Sequence, residues 1–258
     1  SDVCSSDLLL DRWILSELHQ TIEFATERMD ALDNFPAANR IDQFVDALSN
    51  WYVRRSRERF WASGFSDDKR AAYWTLYECL TELSKLLAPF LPFYAEELHQ
   101  NLVRTPFPDA PQSVHLCDWP KLDPSLIDGA LSQEMDLVRE IVSVGRSART
   151  EAKLKVRQPL SAVELILADH RLDGAVERYR DLIAEELNVK KVELARRAAD
   201  YVDFAVKPNL KALGPRFGKK LPQIHKALAG VDPARVRAAL IDAGNFPLDA
   251  GGERSEEH

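Results

Sequence analysis

The first half of the chain spaces its apolar residues three and four apart, the period of an amphipathic helix. Leu10, Trp13, Ile14, Leu18, Ile22, Phe24 and Ala25 keep this spacing and predict a helix over 8–29. Asp33 stands where it can cap a second helix running to about Trp61, with Phe44, Val45, Leu48, Trp51 and Tyr52 on its apolar face. Two long helices joined by so short a turn must pack against each other. Ser66, followed by Asp67 and Asp68, offers an N-cap with acid in the first turn, so a third helix is expected to about Leu87. Pro89 and Pro92 break it, and a shorter helix over 93–103 completes a bundle.

Five prolines between Arg104 and Pro124 interrupt the period. Within them only SVHLCDW alternates, which predicts a short extended strand packed on the bundle, and the domain boundary is placed in this segment. A long helix over 127–153 leads into a different style of sequence. Strands are expected over 162–167, 189–194 and 202–206, a helix over 175–187, and closing helices over 219–229 and 233–243, the last with Pro233 near its start and Gly244 after its end. The fold class is therefore mainly α: a helical bundle over 8–124, then a long helix and a small α+β domain over 125–250. Residues 1–7 lack the basic and apolar regions of a signal peptide, and 251–258 form a polar run after a Gly-rich break. Both are read as non-native flanks.

Composition narrows the picture. Of 258 residues, 45% are hydrophobic and 29% charged, and no apolar run is long enough to span a bilayer, so no membrane partner is expected. A net charge of −7 argues against indiscriminate binding of polyanions, so any nucleic-acid site is a local patch. Cys4, Cys79 and Cys117 lie far apart without a CxxC pair, which disfavours a disulfide framework or a structural zinc site and fits a reducing, cytoplasmic setting.

The stretch NWYVRRSRERFW, 50–61, carries the most chemistry. On a helix, Asn50, Arg54, Arg57 and Trp61 fall 4, 3 and 4 apart and line up on one polar face. Guanidiniums engage phosphates and base edges, an amide reads a base edge, and an indole gives an unpaired base a stacking surface. The residues alone leave a second reading open, a solvated helix in which Glu58 partners Arg54 or Arg55 and Trp61 is buried. Two further basic features stand out. Arg146, Arg149 and Lys153 fall 3 and 4 apart on the long helix, and Lys155 and Arg157 extend that line. Lys207, Lys211, Arg216, Lys219 and Lys220 follow one another with no acid between them, which suits phosphate contact.

No catalytic arrangement emerges. The sequence has no GxxxxGK[ST], GxGxxG or HExxH motif and no nucleophile elbow. GPRFGKK, 214–220, is the nearest approach to a phosphate loop, but Pro215 within it, Pro222 just after it and the lack of a strand feeding it favour a turn. His115 and Cys117 share the face of the expected strand, and two ligands do not hold a metal.

The series DRWILSELH, NWYVRRSRERFW, LLAPFLPFYAEELHQNL, SVHLCDWP, KVRQPLS, LIAEELNVKKVEL and KPNLKALGPRFGKK resembles, in order and spacing, the C-terminal part of isoleucyl-tRNA synthetase, over about 8–249. The first three motifs are shared in outline with the valyl, leucyl and methionyl relatives and mark the class I anticodon-binding bundle. KVRQPLS, LIAEELNVKKVEL and KPNLKALGPRFGKK look specific to the isoleucyl family. The resemblance implies that the bundle receives the anticodon stem-loop of isoleucine tRNA on the side of Asn50, Arg54, Arg57 and Trp61. With the loop on that side, the basic stripe 146–157 and the run 207–220 are expected from their charge to grip the backbone. The partners are then tRNA and a catalytic domain of the same chain. That domain would carry the nucleotide-binding motifs, the editing site and the requirement for ATP and Mg, so this fragment needs no cofactor and is inactive alone. The family's zinc-binding tail has no cysteine cluster to match it here. The rival readings are the bundle of a valyl or other class I synthetase, or a helical docking module presenting Trp51, Tyr52 and Arg55.

Overall fold

A computed structural model describes residues 5–167, 169–195, 221–232, 235–236, 239, 246–249 and 254–257. The chain divides into two compact units, Ser1–Leu154 and Lys155–His258. The division falls after the long helix and not in the proline-rich segment. That helix packs on the first helix and belongs with the bundle.

The first unit is helical. α1 (Ser5–Asp30) buries Leu10, Trp13, Ile14, Leu18, Ile22 and Ala25. α2 (Asn34–Asp46) lies against it through Ala37, Ile41 and Phe44, and Arg40 Nη2 reaches the buried Glu17 carboxylate at 2.9 Å. Val45, placed by spacing on the apolar face, is exposed. The second helix does not run unbroken to Trp61. It widens into a π-helical turn over Ala47–Val53, breaks at Ser56 (φ −82, ψ 8), and resumes as α3 (Arg57–Trp61). The wide turn buries Ala47, Leu48, Trp51 and Tyr52 together, and such bulges re-aim the side chains that follow them.

α4 (Asp67–Leu87) begins at Ser66, whose Oγ accepts from Lys69 N–H, as the sequence predicts. Pro92 starts α5 (Pro92–His99), which ends in a second π-helical turn, Gln100–Arg104. The SVHLCDW segment is not a strand. Ser113 Oγ and Val114 N–H both donate to Glu96 Oε2, at 2.8 and 3.0 Å, and Ser113 caps a 3-10 turn over Val114–Leu116. The Val114 N–H, which a strand would have offered to a neighbour, is thus taken by a side chain of α5. The proline-rich strap is also held to α1, by Trp119 Nε1–H donating to Thr26 Oγ1 at 2.9 Å.

α6 (Gly129–Glu151) starts at Asp128, whose side chain accepts from Leu131 N–H. It buries Leu131, Met135, Val138, Ile141 and Val142 and packs on α1. Its first turn is bonded there directly: Gln20 Nε2 donates to Ser132 Oγ at 2.7 Å, and Arg12 pairs with Asp128 at 2.8 Å. Buried apolar residues on this scale keep α6 in the bundle.

The second unit contains a two-stranded parallel sheet, β1 (Val163–Leu165) and β2 (Val192–Leu194), in register Val163 to Val192. Between them run α7 (Asp173–Arg178) and α8 (Arg180–Leu187), broken at Tyr179 where one helix over 175–187 was expected. Val176, Tyr179, Ile183, Leu187 and Val192 are among the buried apolar residues described in this unit. A helix covers Leu221–Ala229, and β3 (Phe246–Asp249) pairs antiparallel with β4 (Arg254–Glu257), so that β4 falls in the 251–258 run read from sequence as a flank. The expected strand over 202–206 lies outside the described residues, and so does most of the helix over 233–243.

Candidate nucleic-acid interface

The π-helical turn and α6 enclose an open groove of about 960 Å³ in the first unit. Asn50, Trp51 and Arg54 line one wall, and Arg139, Ser143, Arg146 and Thr150 the other. Asp46 joins the two walls. Its Oδ1 accepts from Asn50 Nδ2 at 2.6 Å and its Oδ2 from Arg139 Nη2 at 3.0 Å. Because a carboxylate can only accept, the bond fixes which end of the Asn50 amide faces Asp46, and the amide oxygen remains as an acceptor. Arg54 Nε–H donates to Asn50 carbonyl O at 2.7 Å, and its guanidinium lies 5.8 Å from the Trp51 ring centre.

The groove carries both signs of charge. Asp136, Glu140 and Glu151 line it beside Asp46, against Arg54, Arg139 and Arg146. Burial, followed by the nearby Glu17 charge, raises the Asp136 carboxyl above its ordinary range against the pull of Arg139 and Arg40.

The stripe read from the sequence thus becomes two pairs. Asn50 and Arg54 face α6, whereas Arg57 and Trp61 lie beyond the break at Ser56, with the Arg57 guanidinium 4.5 Å from the Trp61 ring centre. Trp61 is 74% exposed, which removes the reading that buries it. Arg59 is structural: its guanidinium is buried between Asp11 and Asp68. Trp51 and Tyr52 are buried too, so neither presents the docking surface considered above.

The basic line on α6 does not face one way. Arg146 lines the groove, Arg149 is only 5% exposed, and Lys153 lies past the helix end in the left-handed region (φ 55). Lys155 and Arg157 are exposed residues of the second unit. Lys207, Lys211, Arg216, Lys219 and Lys220 lie outside the described residues. Sequence reasoning missed Asp46, Arg139, Ser143 and Thr150. Arg139, Ser143, Arg146 and Thr150 recur at 4, 3 and 4, a polar ridge that assigning α6 to the other domain concealed.

Among the described residues no group of three His, Cys, Asp or Glu side chains is disposed to hold a metal, and no helix is long and apolar enough to cross a membrane. The sequence pattern of the anticodon-binding domain of tRNA ligases matches residues 11–164, which contain both groove walls. The chain belongs to that family. The match takes in α1 through α6 and continues into β1, so the groove lies inside the family's own domain.

Three relatives of this anticodon-binding chain are isoleucine–tRNA ligases. That of Clostridium novyi (strain NT) is 48% identical over 247 residues, 96% of this chain. That of Chlamydia muridarum (strain MoPn / Nigg) is 46% identical over 95% of the chain, and that of Thermobifida fusca (strain YX) 44% over 95%. The chain spans 23% of the length of each.

Proposed function

We propose that this chain is the tRNA-binding part of an isoleucine–tRNA ligase, and that the groove between the π-helical turn and α6 reads unpaired anticodon bases. The observation that carries the reading is the Asp46 clamp, which holds the Asn50 amide and Arg139 on facing walls. Carboxylates in the groove repel phosphate, whereas amide, guanidinium and carboxylate groups together match the donor and acceptor edges of bases. Trp61, backed by Arg57, offers a stacking face outside the groove. Phosphate contacts fall to Lys153, Lys155, Arg157 and the basic run 207–220, which add affinity without sequence preference.

The parent enzyme joins isoleucine to its tRNA in the cytoplasm. ATP and Mg serve a catalytic domain elsewhere in the same polypeptide, and the fragment alone is inactive. Such an enzyme needs a distant RNA site because its catalytic centre meets only the acceptor end. The reading is supported by 48% identity to a named isoleucine–tRNA ligase across nearly the whole chain. Nuclease footprinting of isoleucine tRNA tests it: the chain should protect the anticodon loop, and protection confined to the acceptor stem would refute it.

A further inference from the structure

One end of the first unit exposes large apolar side chains from two separate turns. Near the other end, Arg59 bonds to both Asp11 of α1 and Asp68 of α4, which sets those two residues at one level of the bundle. His19 of α1 then shares a cavity wall with Glu78, Glu82 and Lys85 of α4, so the two helices run side by side in the same direction. Each continues for nineteen residues, from Asp11 to Asp30 and from Asp68 to Leu87, which is about 28 Å. They therefore end together.

The turns that follow α1 and α4 leave the bundle at that shared end. Leu32 is 89% exposed there, Phe35 in the first turn of α2 76%, Leu91 53%, and Phe93 in the first turn of α5 91%. Neither turn is loose. Asp33 N–H donates to the Arg28 carbonyl O at 2.8 Å and Leu91 N–H to the Leu87 carbonyl O at 2.7 Å, while Pro89 and Pro92 fix φ on either side of Leu91. Side chains carried on a fixed backbone lose little freedom when a partner covers them. A single exposed apolar residue is ordinary, but four at one end form a patch.

Charge at this end selects the partner. Residues 30–36 and 88–94 include two acids, Asp30 and Asp33, and no Lys, Arg or His. Such a surface repels phosphate, which sets it apart from an RNA site. A second copy in a two-fold pairing would bring Asp30 and Asp33 toward the same carboxylates of its mate. Size points the same way. The two phenylalanines expose roughly 350 Å², and the leucines bring the patch to the order of 500 Å². That falls short of the about 800 Å² per partner of a stable free complex, but it suffices for one side of an interface between domains of one polypeptide. The isoleucine–tRNA ligases matched above have more than three-quarters of their length outside the 23% that this chain spans.

We propose that this end of the bundle, presenting Leu32, Phe35, Leu91 and Phe93, docks onto a part of the parent polypeptide outside this chain. The docked surface is apolar at its centre and basic at its rim, opposite Asp30 and Asp33. This inference rests on the reading of the chain as part of a longer ligase.

The test is hydroxyl-radical footprinting of the full-length polypeptide and of the 258-residue chain, with side-chain oxidation read by mass spectrometry. Phe35 and Phe93 should oxidise rapidly in the chain and about fivefold or more slowly in the full-length protein, where an intramolecular contact is held at high effective concentration. In the full-length protein, Phe93→Asp should return Phe35 to within about twofold of its rate in the chain, because an aromatic anchor carries much of such a contact. Phe35→Asp, read at Phe93, is the reciprocal variant. Neither substitution should move the melting temperature of the chain alone, since both rings are exposed there. Equal rates in the two proteins, or rates already low in the chain alone, would overturn the proposal, and so would protection that appears only with added tRNA. Isoleucine-dependent ATP–pyrophosphate exchange by the full-length protein tests the ligase reading separately. Its absence would refute that reading, while the footprint still decides the docking surface.

Discussion

Arg59 meets Asp11 in a bidentate ion pair, Nη1 to Oδ1 and Nη2 to Oδ2 both at 2.8 Å, which joins α3 to α1. Arg59 Nε also donates to Asp68 Oδ1 at 2.9 Å, and Tyr52 Oη lies 2.7 Å from Asp11 Oδ1. Burial, then the hydrogen bond to Asp11, raises the Tyr52 hydroxyl far above the usual phenol range. Burial works against the Arg59 charge, but its bonds to Asp11 and Asp68 outweigh it and hold the guanidinium protonated.

Arg59→Ala would leave the buried Asp11 carboxylate unpaired. Loss of one partner of such a pair costs about 3–5 kcal/mol. Urea denaturation should show a loss of that order, and a change below about 1 kcal/mol would mean that the pair does not hold α3 in place.

Arg54→Ala and Asp46→Ala should act on recognition. Arg54→Ala removes one groove wall's guanidinium, and Asp46→Ala releases Asn50 from Arg139. Each is expected to weaken binding of the matching tRNA by about 1–3 kcal/mol while binding of a mismatched tRNA changes little. Lys219→Ala, by contrast, should weaken every tRNA alike and flatten the salt dependence. Equal losses across anticodons for Arg54→Ala would remove it from the reading role.

The strap should loosen in acid. Bonds from Gln100 and Ser113, with the Val114 N–H, lower the Glu96 carboxyl below its ordinary range. A depressed folded pKa contributes stability that is present above the unfolded value, about 4.3, and is lost as pH falls through the folded value. Melting temperature should therefore fall more steeply in the wild type than in Glu96→Gln below about pH 4. Parallel curves for the two proteins would show that Glu96 does not anchor the strap.

Helix ends hold unclaimed stability. Leu32 (φ 59) and Lys153 (φ 55) sit in the left-handed region where glycine is favoured. At α6 the bonds Leu154 N to Arg149 O and Lys153 N to Thr150 O form a Schellman motif with Lys153 at its left-handed position, and Asp33 N to Arg28 O repeats it after α1. Lys153→Gly and Leu32→Gly should each stabilise the unit by up to about 1 kcal/mol, read from thermal unfolding. A loss of stability would contradict the strain.

How much the sequence disclosed follows from how local each signal is. Periodicity placed α1, α4 and α6 well because Trp13, Leu18, Met135 and Val138 obey a helical spacing that burial enforces. It missed the π-helical turn, since one extra residue per turn alters neither composition nor capping, and the aligned stripe from Asn50 to Trp61 therefore divides in two. The strand expected at Val114 failed because the competing bonds come from Glu96, eighteen residues earlier. The groove itself was invisible for a related reason: Asp46 and Arg139 meet across ninety-three residues, and only packing brings them together.

The central claim rests most directly on fluorescence-anisotropy binding of this chain to isoleucine tRNA, a valine tRNA and an anticodon-swapped control at two salt concentrations. Affinity should follow the anticodon in all three RNAs, weaken with salt, and lose its selectivity in Arg54→Ala. Equal affinity for all three would leave only a general grip on RNA, and an absence of binding would contradict a tRNA role for the chain on its own.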